Sequence, residues 1–587
     1  SEIASIMAQK LEKFKSKKPK EKYTRAKTKW ELTKEGLLGL KAKFRRLEHW
    51  TESIDLGDPD GIFTKVLFTS VSEATDRYYE AKTEYNKRIV EMARDLDVSG
   101  DPIVSDELGH TFKSKAEVLG AMLHVGNESN MKKLLIGRGW GTLREDGTLD
   151  TTKWNAFMNR MHEQGVVTKK DWDFIQGLWD MMEEIKPEAQ KTHKQVFGHY
   201  FSEVTADEIE TPFGKYRGGY APAKVDYTIV KDAQRREEMK AFTEDNPGYA
   251  FPGSGGNGFA KGRQENYTKP LQLDINLVVN HIDDVLRFAI VKPHVVNAAK
   301  VATSKELREA FDEFDPEVID KMVKPALVRA DKNRRGDIDP NSVNLISRGS
   351  SYLKKVMSAN IMFMNVVNTL EQFTGFMAAS TKMPPKALYQ GAIFYLRNPK
   401  QVTKDIEEKS TFMRVKTDDS MFEFQRKTRE LFEPQTKMDK VREWADKNTY
   451  ITQIITQDFI DKMVWISKYN EAIENGYDEK SSVRQADAVI RTTQNAGRPL
   501  DIAAFQGDGL LNVVQMFMGY FNMIANLNTT NFTKLIYSDL SIKEKFSRGA
   551  HLYVSGYASL AILSAALRKA AAGGLDEDED GDILDDL

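Results

Sequence analysis

Cysteine is absent from this 587-residue chain, which excludes disulfides, thiolate metal sites and cysteine nucleophiles together. A chain without cross-links can unfold and refold without redox chemistry, and it suits a reducing interior. Histidine is scarce, nine residues in all, and no HExxH, GxSxG or Walker pattern occurs. Convergent titratable groups of the kind a catalytic centre needs are not to be found, so no enzyme, cofactor or metal site is expected. The first fifty residues also lack an apolar core long enough for a secretory signal, and none is expected there.

Charge is plentiful but unevenly placed. The formal net charge is only −2, yet residues 1–50 carry 15 Lys and Arg against 6 Asp and Glu. Lys13, Lys15, Lys17, Lys18 and Lys20, with Phe14, Tyr23, Trp30, Phe44 and Trp50 among the basic residues of this arm, offer phosphate neutralisation to double-stranded DNA, a sequence-independent attraction. A solvated amphipathic helix explains the same pattern. At the other end, eight of the twelve residues from Asp576 to Leu587 are acidic, as in a partner-seeking tail. Asp576, Asp578, Asp580, Gly581 and Ile583 follow a calcium loop, but Leu587 stands where its bidentate Glu belongs, which argues against one.

The periodicity of the remainder is helical. A basic helical arm (1–100) turns at Asp58-Pro59-Asp60-Gly61 and continues from Ile62 to Leu96. In the next module (101–200), Trp154, Phe157, Met158 and Met161, then Trp172, Ile175, Leu178, Trp179 and Met182, mark core-facing helix stripes. Within it, Leu123–Gly141 is dense in Gly and Asn, which mark turns and caps; its Lys132, Lys133 and Arg138 lack P-loop spacing. An extended, Gly-rich excursion (201–270) follows, with a hairpin signal in Thr211–Lys224 and a GSGGNG run that no apolar strand precedes. Helices resume in 271–400, where His281 belongs to an internal polar network and Asp283 and Arg287 are spaced for a pair. A segment of linker and helices (401–508) begins with a polar, poorly periodic stretch to 440. Uncharged helices (509–575) and the acidic tail (576–587) complete the chain. The expected class is mainly α, an elongated multi-helix assembly.

Gly509–Thr533 contains no charged side chain in a chain that is 29% charged. Along it Asn512, Gln515, Asn522, Asn526 and Thr529 form a neutral hydrogen-bonding stripe, and Asn365, Asn368 and Gln372 repeat the device after Val356. Neutral amides suit helix contacts where charge is costly to desolvate, or the wall of a wet conduit. A buried core helix whose amides bond to neighbouring chain is the alternative. Gly549–Leu567 has the length of a bilayer span and small residues at helix-contact spacing, and a core helix fits it equally.

Four long words, HVGNESNMKKLLIGRGWG, TPFGKYRGGYAPAK, PLQLDINLVVNHIDDVLRFAIVKP and RPLDIAAFQGDGLLNVVQMFMGYFN, occur in this order. They resemble the large polyvalent protein-associated domains, helical modules toward the C-terminal side of bacteriophage polyproteins, including packaged proteins of podoviruses that carry a virion RNA polymerase. The resemblance covers roughly residues 105–570; the basic arm falls outside it, and nothing matches polymerase catalytic motifs. It implies a virion-internal ejection protein that leaves with the genome, self-associates, meets portal, tail or other ejection proteins, and reaches the host envelope and its membrane. A soluble scaffold inside the capsid, or a non-catalytic C-terminal part of a polymerase polyprotein, are the alternatives.

Overall fold

The structure, a computed structural model, describes residues 2–16, 45–98, 101–226, 269–332, 376–416, 457–493, 500–501 and 525–531, without 57, 59, 225, 315–316 and 377, and scattered positions from 535 to 550. The chain is mainly helical, and the two two-stranded sheets found among the described residues are short antiparallel hairpins. It divides into two compact units. The first comprises Ser1–Asp76, His294–Thr417 and Met438–Leu587, the second Arg77–Pro293 and Asp418–Lys437.

In the second unit the aromatic stripes read from the sequence form the core. All nine residues named for 154–182 are buried. Trp140 stacks on Trp154 at 6.1 Å and Phe112 on Phe157 at 5.1 Å. Phe112 comes from a hairpin, Ile103–Ser105 paired with His110–Phe112, that interrupts the expected helical run. Its four-residue connection ends at Gly109 with φ +59°, which glycine adopts freely. The helix Lys169–Phe197 starts behind Thr168, whose backbone N–H donates to Asp171 Oδ2 at 2.7 Å; buried Asp171 also pairs with Lys115 at 2.8 Å. Asn276–Ile290 packs along this helix.

The Gly and Asn density of Leu123–Gly141 has a physical origin. Asn127 caps the helix Glu128–Arg138 by accepting from the Asn130 N–H, and Gly139 ends it in the left-handed conformation. Asn127 Nδ2 donates to Gly219 O at 3.0 Å, and the Gly219 N–H donates to Gly126 O at 2.9 Å. A Cβ on Gly126 would stand 2.5 Å from the Trp179 ring and 2.7 Å from Gly219 N. Gly126→Ala should therefore cost the second unit about 1–3 kcal/mol, read as a lowered unfolding midpoint. Arg138 donates to the Leu271 carbonyl at 2.9 Å and pairs with Asp226 at 2.8 Å, so it holds chain and cradles no phosphate.

The hairpin pairs Ile209–Thr211 with Gly214–Tyr216, so it begins two residues before the expected Thr211–Lys224 and takes in only the start of that stretch; residues 227–268 lie outside the described residues. Tyr216 stacks on Trp172 at 5.4 Å. The expected Asp283–Arg287 pair does not form: Arg287 meets Asp284 at 2.7 Å, while Asp283 takes Lys82 at 2.7 Å and the Tyr78 hydroxyl at 2.5 Å. Side chains three apart on a helix are as close as those four apart, and Asp283 faces a neighbouring helix instead.

In the first unit, Glu2–Ser16 packs on Lys305–Phe314, with Phe311 5.3 Å from Trp50 and 6.1 Å from Phe63. A second core surrounds Trp465, built from Pro385–Arg397, Pro399–Lys409, Thr411–Lys416, the helix 457–474 and Glu479–Thr493. The start of the expected 401–440 linker is thus helical. Its apolar residues are few, but Val402, Ile406, Phe412 and Met413 all point inward.

Candidate functional site

The residues singled out by the sequence are only partly within the description. Lys13 and Lys15 lie in the backbone of Glu2–Ser16; Lys17, Lys18, Lys20, Asn365, Asn368, Gln372, Asn512, Gln515 and Asn522 lie outside the described residues. Asn526 and Thr529 stand on the helical turn 525–531. Asn526 is buried and its Oδ1 accepts the Arg46 backbone N–H at 3.1 Å, across 480 positions of sequence. Thr529 is exposed, its hydroxyl donating to Ala525 O at 2.7 Å. At Asn526 the amide bonds to the same protomer, the core-helix alternative.

That contact belongs to a buried ionisable seam that no motif announced. It begins on Leu47–Ile54, where Arg46, Glu48, His49 and Asp55 are all buried. Asp55 accepts the Thr64 N–H and a Lys10 ammonium hydrogen, both at 2.7 Å, which ties the helix Glu2–Ser16 to the helical turn Ile62–Thr64. Glu52 pairs with Lys382 at 2.6 Å and Asp60 with Arg484 at 2.5 Å. Asp76 meets Arg491, whose guanidinium lies 4.2 Å from the centroid of Phe412. On the same helix Asp487 accepts from Ser410 Oγ and Trp465 Nε1, both at 2.7 Å. Asp501 and Thr530 close the group, with Thr530 Oγ1 3.1 Å from the His49 carbonyl oxygen.

Among the described residues the charges of the seam do not balance: beyond the Lys10–Asp55 and Asp60–Arg484 pairs, Arg46, Lys382 and Arg491 face five carboxyls, Glu48, Glu52, Asp76, Asp487 and Asp501. Burial above all, with Asp501 and Glu52 beside it, lifts the Glu48 carboxyl to about 8 against the pull of Arg491 and Lys382. At neutral pH Glu48 therefore holds a proton, which removes one of the surplus anions. Burial, with Lys382 and Arg46 beside it, keeps His49 well below its usual value and neutral. Asp487 is raised by burial against Arg491, Ser410 and Trp465. Several buried polar atoms in and beside the seam have no hydrogen-bond partner among the described residues: His49 Nε2, Gln485 Nε2, Arg491 Nε and Asp501 Oδ2.

Such an arrangement joins segments; it offers no exposed nucleophile or base to a substrate. Buried ion pairs add little net stability, but they fix which segments meet, because every wrong pairing leaves a charge uncompensated. Among the described residues no group of three His, Asp or Glu is placed to hold a metal ion, and no helix is long and apolar enough to cross a membrane. No protein-family model, curated protein or solved structure matches the chain.

Proposed function

We propose that the chain is a bacteriophage virion-internal ejection protein, an elongated helical assembly that is packaged with the genome and released with it. In this reading it re-forms as a ring or tube that carries double-stranded DNA through the host envelope. The observation that carries the proposal is the way the first unit closes. A cysteine-free chain of local helices is held by ionic contacts between segments up to 424 positions apart. Local helices re-form quickly after a chain has been drawn through a narrow passage, and ionic contacts specify the long-range closure without cross-links. The collinear words and the two charge-free stripes support the same reading, since a DNA conduit benefits from walls that neither grip nor repel phosphate.

A soluble scaffold or adaptor inside the capsid is the second reading, favoured by Asn526, whose amide is spent inside its own protomer. Mass photometry with and without liposomes separates the two. The ejection reading expects oligomers that grow on lipid and release an entrapped dye; monomers indifferent to lipid would leave only the scaffold.

A further inference from the structure

The helix Pro385–Arg397 has two apolar faces, and the second core needs only one. Leu388, Gly391 and Tyr395 are buried, and a Cβ on Gly391 would collide with Ser467, so the helix lies close against 457–474. On the opposite side Tyr389, Ile393 and Leu396 step by four and three, which places them on a single outward stripe. Tyr389 is 67% exposed and Leu396 59%, while Ile393 between them is half-buried. Bulky side chains in such a row have no role in the fold that leaves them in water.

What borders the stripe identifies its partner. From Pro384 to Gln401 the chain carries three cations, Lys386, Arg397 and Lys400, and no anion. All three are exposed, and none takes part in an ion pair among the described residues. Neighbouring lysines behave otherwise: Lys404 lies 3.7 Å from Glu408, and Lys409 meets Glu479. Unpaired cations around a Tyr, Ile and Leu ridge match a surface that presents anionic headgroups above acyl chain. Duplex DNA would take the cations but leave the ridge in water. We propose that this helix docks the first unit on an anionic lipid surface, with Tyr389, Ile393 and Leu396 entering the headgroup boundary and the three cations on lipid phosphates. A ridge of this size gives a reversible, peripheral contact.

The proposal builds on the delivery reading only in expecting a membrane to be met, and the two are tested apart, since docking is read by flotation and conduit formation by dye release. The full chain should float with vesicles of equal parts phosphatidylcholine and phosphatidylglycerol, weakly with phosphatidylcholine alone, and less at high salt. Lys386→Gln/Arg397→Gln/Lys400→Gln should lose roughly 100-fold in affinity, and Tyr389→Ser/Leu396→Ser tenfold or more. Both variants alter exposed side chains, and unchanged circular dichroism confirms their fold. Flotation indifferent to either variant, or equal on both vesicle types, would overturn the proposal. So would lipid-free self-association that the Tyr389/Leu396 variant abolishes, which makes a second copy the occupant. A duplex-DNA shift lost in the cation variant but kept in the ridge variant counts against it equally.

Discussion

Arg491→Met should destabilise the first unit by about 3–5 kcal/mol, the cost of leaving a buried charge without its counter-ion. Asp76 and Arg491 both have side chains only 6% exposed, so water cannot replace the lost guanidinium. The same cation also pulls down Glu48 and Asp487, and its removal leaves those carboxyls with less compensation. Asp76→Leu/Arg491→Met should recover most of the loss, since the double change removes both desolvation penalties and leaves packed hydrocarbon near Phe412. By contrast the exposed Arg88–Glu184 pair, 37% and 52% exposed, should contribute under about 1 kcal/mol. Urea unfolding measures all three, with hydrogen exchange of residues 479–493 to assign the first unit's transition and of 169–197 the second's. A single variant that unfolds with the wild type would show that the Asp76–Arg491 contact does not hold the unit closed.

The helices and their inward faces were legible in the sequence because helix periodicity is local. Trp154, Phe157 and Met161 report one face within eight residues, whatever they pack against. Asn127 and Gly139 were legible as punctuation for the same reason, although their fit against Gly219 and Trp179 was not. The 103–112 hairpin was missed because three-residue strands carry too little alternation to stand out among helical signals. Pro102 before Ile103-Val104, and Gly109 before His110, were the available clues.

The seam was not legible at all. Arg46, Glu48, Asp76, Asp487 and Arg491 sit in charged helical stretches that look like ordinary solvated faces, and only the fold brings residue 76 to residue 491. Local composition carries no record of a partner 415 positions away. The neutral stripe gave a partial view. It marked Asn526 as a residue kept free of charge, and the structure supplies a reason, since the amide reads the backbone of Arg46 in a place already crowded with ions.

Glu48→Gln should make the first unit more stable at pH 8 by roughly 3 kcal/mol relative to its effect at pH 5. Glu48 titrates near 4.5 in an unfolded chain and at about 8 in the fold, so between those values the folded state binds the extra proton. Stability then falls as pH rises through that window, because the buried site resists the charge that water would accept. Glutamine keeps the shape of the protonated acid and removes the titration. His49 acts in the opposite sense: its depressed value means that the unfolded chain takes up a proton below about 6.5, and stability is lost as pH falls. Comparing wild type with Glu48→Gln at each pH cancels the His49 contribution. The groups facing Glu48 are Asp501 and Glu52, which hold its proton on, and Arg491 and Lys382, which draw it off; Arg491→Met should therefore shift the profile further upward. Hydrogen exchange of residues 47–54 across pH 5–8 reads the difference directly. Parallel profiles for wild type and Glu48→Gln would mean that Glu48 is ionised in the fold.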